Sequence, residues 1–309
     1  MVWLAGAVPY ADAHQIFERI GQANIPITSL WQRAQAEGAK FQAHQQQHQT
    51  QVGVERVVLP PAGQDHPQRK GVSLDGGMMH TRSGGDGWKE FKAGTAYDLA
   101  LETTTDPETG DPVEVARGEN IGYCAVLGSV MDFAPTLWAL AVDHQIPQAA
   151  EVAVIADGAD WIWNLTDDYF PESAQIVDWY HAAQHVAQAA TALHPANEAA
   201  AQRWQHEQRQ ALYLGQIDKI TTPLDKAGLT SVSQYFHTHE RRMQYQEFRE
   251  QGYPLGSGTV ESGIKRFKQR VAGPGMRWSR GGAEPRSVLL IRAAVMTNNF
   301  DTLWAETRN

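Results

Sequence analysis

The chain has 309 residues, a net charge of −9, and 42% hydrophobic against 20% charged residues, which is the balance of an ordinary globular protein and excludes a disordered one. Its single cysteine, Cys124, excludes a disulfide framework and any cysteine-based zinc site and points to the cytoplasm. The start, MVWLAGAVPYADAH, has no basic leader and too short an apolar run for a signal peptide or a membrane span, and no other stretch is long enough to cross a bilayer.

The acidic balance argues against a polyanionic partner, yet the charge is uneven. Between Tyr253 and Arg292 eight Lys or Arg stand against two Glu, so a basic segment sits on an acidic chain.

Residues 8–43 read as two helices, Tyr10–Ala23 and one from Thr28 or Ser29 through Trp31 to about Ala43, broken at Asn24-Ile25-Pro26-Ile27. This fits a helix-turn-helix, whole or partial, or equally a helical hairpin packed on the rest of the protein. The glutamine-rich QAHQQQHQTQV after it is expected to be an exposed helix end or a linker.

Residues 71–100 predict a β-hairpin turning at Ser83-Gly84-Gly85-Asp86-Gly87. Asp75 lies inside its first strand, where acids are depleted, and Gly76 and Gly77 after it allow a bulky group to approach the backbone. A solvent-facing residue on an edge strand is the alternative. A third strand is expected over about 121–130 with Cys124 packed in it, then an apolar helix over Phe133–Asp143.

Val152, Val154 and Ile155 form a continuous apolar run ending at Asp157-Gly158, the pattern of a strand buried on both faces. Asp157 would then sit at the carboxyl end of a strand, where open α/β sheets bind ligands, or it simply starts a turn and caps the helix over 159–169. The next strand, Ala174–Val177, runs into Asp178-Trp179-Tyr180-His181 and a helix to Ala192. Asp178 and His181 are expected to form a hydrogen-bonded pair that orients an imidazole. His181 and His185, one turn apart, lack a third metal ligand at matching spacing.

Strand, strand, strand, helix, strand, helix, strand is the order of a ribonuclease H-like fold: an α/β mixed sheet flanked by helices. The expected division is a helical N-terminal region at 1–50, a core at 66–195, a polar helical insertion at 196–250 anchored by Trp204, Tyr213, Tyr235 and Phe236, and the rest of the core at 251–300. In that last part Ser257 or Thr259 would cap a helix carrying Glu261, Lys265 and Lys268 at spacings of four and three, which puts a carboxylate beside a basic stripe. A first-turn glutamate is also favoured by the helix dipole alone.

In such a sheet Asp75, Asp157 and Glu261, 82 and 104 residues apart, converge on one edge. Convergent carboxylates repel one another unless hard cations neutralise them, and two Mg²⁺ or Mn²⁺ ions about 4 Å apart suit an oxygen-only set and phosphodiester displacement.

Several motifs together resemble one family. They are Ser73-Leu74-Asp75-Gly76-Gly77, Gly87-Trp88-Lys89-Glu90, Ala156-Asp157-Gly158-Ala159-Asp160-Trp161-Ile162-Trp163, Asp178-Trp179-Tyr180-His181, Gly256-Ser257-Gly258-Thr259-Val260-Glu261-Ser262 and Gly273-Pro274-Gly275-Met276-Arg277-Trp278-Ser279. Over 71–281 the chain resembles the DDE transposases of bacterial insertion sequences, in the Kra-type group allied to the Mutator-like enzymes. The resemblance implies a DNA transposase that hydrolyses phosphodiesters at element ends and joins the freed 3′-hydroxyl to target DNA. Asp75, Asp157 and Glu261 would be its metal triad and Asp178 with His181 its acid-x-x-His element. It also implies a dimer or larger assembly on DNA. The chain is shorter at its front than the family pattern, as in a truncated copy. Lys265, Arg266, Lys268, Arg270, Arg277 and Arg280 are expected to hold phosphates. Trp161 and Trp163 are open to base stacking or to packing. A DNA-binding remnant without catalysis and a structure-specific nuclease are the competing functions.

Overall fold

Five strands form one mixed sheet: β1 (Arg69–His80), β2 (Trp88–Thr105), β3 (Pro112–Val126), β4 (Glu151–Ala156) and β5 (Ala174–Val177). The computed structural model describes residues 1–53, 69–82, 87–105, 112–279 and 283–308, so the centre of the expected hairpin turn lies outside the described residues. The spatial order is β3-β2-β1-β4-β5, with β1–β2 and β2–β3 antiparallel and β1–β4 and β4–β5 parallel. A hairpin-led meander is thus extended by two parallel strands.

Helices flank the sheet on both sides. The first three are α1 (Val2–Ala7), α2 (Tyr10–Arg19) and α3 (Ile27–Val52), and α4 (Val130–Asp143) and α5 (Asp160–Tyr169) lie on either side of β4 in sequence. Helix α6 (Trp179–Leu193) follows β5, and then come α7 (Glu198–Tyr213), α8 (Ile217–Lys226), α9 (Thr230–His239) and α10 (Tyr245–Glu250), the helical stretch expected at 196–250. The last are α11 (Gly258–Val271), α12 (Ala283–Thr297) and α13 (Phe300–Glu306). Val72, Leu74 and Ala96 pack one sheet face against Phe133 and Leu137 of α4 and Ile162 of α5. Met79, Phe91 and Ala93 pack the other against Val260, Ile264 and Phe267 of α11 and Val288 and Leu289 of α12. None of the helices among the described residues is long and apolar enough to cross a membrane.

Several boundaries differ from those expected, each for a local reason. Strand β3 spans Pro112–Val126 rather than 121–130, because its register with β2 extends far beyond the apolar segment. Helix α4 begins at Val130, three residues early, because Ser129 and Asp132 close a capping box in which the Asp132 carboxylate accepts from the Ser129 N–H at 2.8 Å. Helix α3 starts behind Pro26 with no side-chain cap and absorbs the glutamine-rich stretch in 26 residues. Its Leu30, Ala34 and Phe41 are buried, the last two in a cluster with Ile291 and Phe300, so this helix is committed to α12 and the interior.

Candidate metal centre

The sheet register assembles an acidic edge. Leu74 pairs with Ala156, and Ala156 with Val177, so Asp157 and Asp178 follow the carboxyl ends of β4 and β5, while Asp75, inside β1 and paired with Ala93 of β2, is the first residue beyond the β1–β4 pairing. Side chains alternate along a strand, which puts these three on the face opposite Leu74 and Ala156, the face that α11 covers. Strand β1 is flanked by β2 and β4, so Asp75 is not on an edge strand. Phe91 lies across Gly77 and the Glu90 carboxylate across Gly76, so the close approach those glycines allow is made by β2.

Asp75 is half-buried and its carboxyl is pushed up to about 6, first by desolvation and then by the Asp157 charge. The Gly76 N–H, donating to its Oδ1 at 2.6 Å, and the His181 and Lys268 charges oppose that rise. Asp157 accepts from the Ala159 N–H at 2.9 Å, so it does start the turn into α5 while its charge still acts on Asp75. Two half-buried carboxylates facing one another repel, and a divalent cation between them would remove that repulsion.

Asp178 is fully buried and saturated. Its Oδ1 accepts from the N–H groups of Tyr180 at 2.7 Å and His181 at 3.0 Å, capping α6, and its Oδ2 accepts from the Ser257 N–H at 2.5 Å and the Ser257 hydroxyl at 2.8 Å. The expected bond to the His181 imidazole is therefore corrected: Asp178 grips the His181 backbone. Nor does Ser257 cap α11 with its side chain, because its hydroxyl is spent on Asp178 and approaches Glu261 at 3.4 Å. Asp178 is thus a bracket joining the start of α6 to the start of α11.

A second set of contacts seats α11 over β1. The Thr259 hydroxyl lies 3.4 Å from the hydroxyls of Thr95 and Ser73, and Ser73 lies 2.9 Å from the buried Tyr97 hydroxyl. Glu261, one turn after Ser257 and 3.4 Å from its hydroxyl, then meets the edge. Asp178, His181 and Glu261 each present a ligand atom within 4.8 Å of the others, which makes them a set that could hold a metal ion among the described residues. The expected triad is split between two halves, Asp75 with Asp157 and Glu261 with Asp178, and His181 touches both through its charge on Asp75 and its place in the second set. Because the second set includes an imidazole nitrogen, it admits softer divalent ions than an all-oxygen set, while the Asp75–Asp157 half suits Mg²⁺ or Mn²⁺.

Sequence reasoning missed what the insertion brings here. Tyr235 of α9 stacks on His185, ring centroids 3.6 Å apart at 18°, and meets His239 edge-on at 5.0 Å. It covers Gly158, where a Cβ would lie 2.5 Å from Cε2 of the ring, so the space expected beside Asp157 is filled by this aromatic. Burial and the charges of Asp157 and Asp178 push the phenol pKa up, and burial pushes those of His185 and His239 down. The available signal was His185, one helical turn after His181.

The basic residues divide by burial. Lys265, Lys268 and Arg277 are exposed, and Arg266 is half-buried over the Tyr123 ring at 5.5 Å. Arg270 is corrected: at 2% exposure, with Nε donating to the Ala5 carbonyl at 2.6 Å and its guanidinium over Tyr10 and Trp278, it cannot reach a phosphate. Arg280 lies outside the described residues. Trp163 is buried with Arg242 over its ring, and Trp161 packs edge-on to Phe133 beneath Lys92, so both serve packing. Compared with known proteins, the chain matches no family model and no curated protein.

Proposed function

We propose that the chain is a divalent-metal-dependent DNA transposase of ribonuclease H-like fold, acting on phosphodiesters at the edge formed by β1, β4 and β5. The observation that carries this reading is the approach of Asp75, in β1 just beyond its pairing with β4, to Asp157 at the end of β4, with Glu261 and His181 delivered to the same edge by α11 and α6. The strand order and the helical stretch between α6 and α11 support the fold assignment. Asp75, Asp157 and Glu261 would hold the metal, with His181 between the two halves. A bound Mg²⁺ or Mn²⁺ supplies activation of a water or 3′-hydroxyl and charge stabilisation of the leaving oxygen.

The residues of the chain would divide the remaining work. Asp178 positions His181 and Glu261 through its four accepted hydrogen bonds, and Lys265, Lys268 and Arg277 offer exposed charge for DNA phosphates near that edge. Calorimetric titration with Mn²⁺ tests the site on the wild type and on Asp75→Asn, Asp157→Asn and Glu261→Gln. Binding that each substitution weakens at least tenfold supports it. Binding indifferent to all three, with and without DNA, refutes it, and cleavage of DNA with no joined product would assign a nuclease instead.

A further inference from the structure

The three residues after Asp178 are put to different uses. The Trp179 ring packs inward, edge-on to Tyr213 at 5.5 Å and to Tyr245 at 5.2 Å. His181 joins Asp178 and Glu261 in the set that could hold a metal ion. Tyr180, between them, is 65% exposed. A single exposed aromatic needs no explanation on most of a protein surface, but this one borders the acidic edge.

Its place there is defined from two sides. The Tyr180 N–H donates to Asp178 Oδ1 at 2.7 Å, which pins its backbone in the first turn of α6. The side chain leans across to the approach of α11: a Cβ built on Gly256 would stand 3.5 Å from Cε2 and 3.8 Å from Cδ2 of the ring, and 3.7 Å from Asp178 Oδ2. The ring and the Asp178 carboxylate thus flank the same bare stretch of backbone, just before Ser257. Beyond it is open space, since a Cβ on the exposed Gly258 would meet nothing within 4 Å. A tyrosine ring offers a large flat surface with only two side-chain torsions to fix, so ordering it against a ligand costs little.

We infer that Tyr180 is a stacking platform for an unpaired nucleobase of the strand whose phosphodiester lies at this edge, which narrows the substrate to DNA that is single-stranded or opened beside the reacting phosphate. This rests on the phosphodiester reading given above. A base inside a duplex has both faces covered by its neighbours, so only a base freed from the stack can lie on the ring. The ring carries no charge and adds nothing to the attraction of phosphates, so its removal is felt only by a strand that has bases.

The test uses the full chain with Mn²⁺, and fluorescence anisotropy of two labelled strands of equal length, oligothymidylate and an abasic strand. The wild type is expected to bind oligothymidylate about tenfold tighter than the abasic strand. Tyr180→Ala should lose about fivefold to a hundredfold on oligothymidylate and stay within about twofold on the abasic strand, and Tyr180→Phe should restore the wild-type preference. Mn²⁺ affinity, melting temperature and the salt slope should be those of the wild type in both variants. Equal affinities in wild type and Tyr180→Ala, an equal loss on both strands, or a loss that Tyr180→Phe does not restore would overturn the stacking role and leave the metal reading standing. So would a variant with weakened Mn²⁺ binding or lowered melting, since the ring then serves the site or the fold, and so would a wild type that binds Mn²⁺ without preferring oligothymidylate. A wild type that binds neither Mn²⁺ nor either strand overturns the phosphodiester reading, and this inference with it.

Discussion

Replacing Asp75 by Asn should stabilise the metal-free protein, and the gain should depend on pH. The Asp75 carboxyl is pushed from 3.8 to about 6 in the folded state, so between those values the folded chain binds more proton than the unfolded one and stability falls as pH rises. Integrating the two titrations, the ionised carboxylate costs about 3 kcal/mol at pH 7.5 but only about 1 kcal/mol at pH 4.5. Asparagine keeps a carbonyl oxygen for the Gly76 N–H, so little else is lost. Urea unfolding in EDTA at the two pH values should show Asp75→Asn ahead by those amounts, which at pH 7.5 is roughly 6 °C in melting temperature. Saturating Mn²⁺ should narrow the gap, because only the wild type keeps the full site. A variant that is destabilised at pH 7.5, or that gains equally at both pH values, would refute the picture of a desolvated Asp75 carboxylate held beside Asp157.

Asp178→Ala should cost about 3–5 kcal/mol, because it leaves the Tyr180, His181 and Ser257 N–H groups without their acceptor, and chemical denaturation measures it. Arg270→Ala should cost about 2–4 kcal/mol of stability through lost packing on Tyr10 and Trp278 while leaving affinity for duplex DNA within about twofold. Lys265→Ala and Lys268→Ala should do the reverse, each lowering the slope of log affinity against log salt by about 1 in filter binding with little change in melting.

The strand ends were the most legible part of the chain. An apolar run closed by Asp157-Gly158 and an aspartate embedded in a hairpin strand identify positions that period-two alternation then places on a shared face. Asp178 was visible as a junction residue, but its partner Ser257 is 79 residues away and no local spacing announces that bond. Arg270 was misread although the helix period held the answer: with Val260, Ile264 and Phe267 it follows the buried stripe of α11, whereas Lys265 and Lys268 do not. Tyr235 was out of reach for a different reason. Its neighbour Phe236 marks the buried side of α9, but which way the rest of that helix turns is set by its packing near α6, a tertiary fact.

The seat of α11 on β1 has a consequence for biosynthesis. Thr259 reaches Ser73 across 186 residues, and Arg270 reaches the Ala5 carbonyl across 265. Contacts this distant in sequence form late, because the loop must be closed before any contact rewards it. A nascent chain can pair β1 with β2 and β4 soon after they leave the ribosome, yet Glu261 cannot reach the edge until α11 has also emerged. A message cut short between Asp178 and Ser257 therefore leaves the Asp178 carboxylate without the Ser257 N–H and hydroxyl it accepts from, and leaves the edge without Glu261.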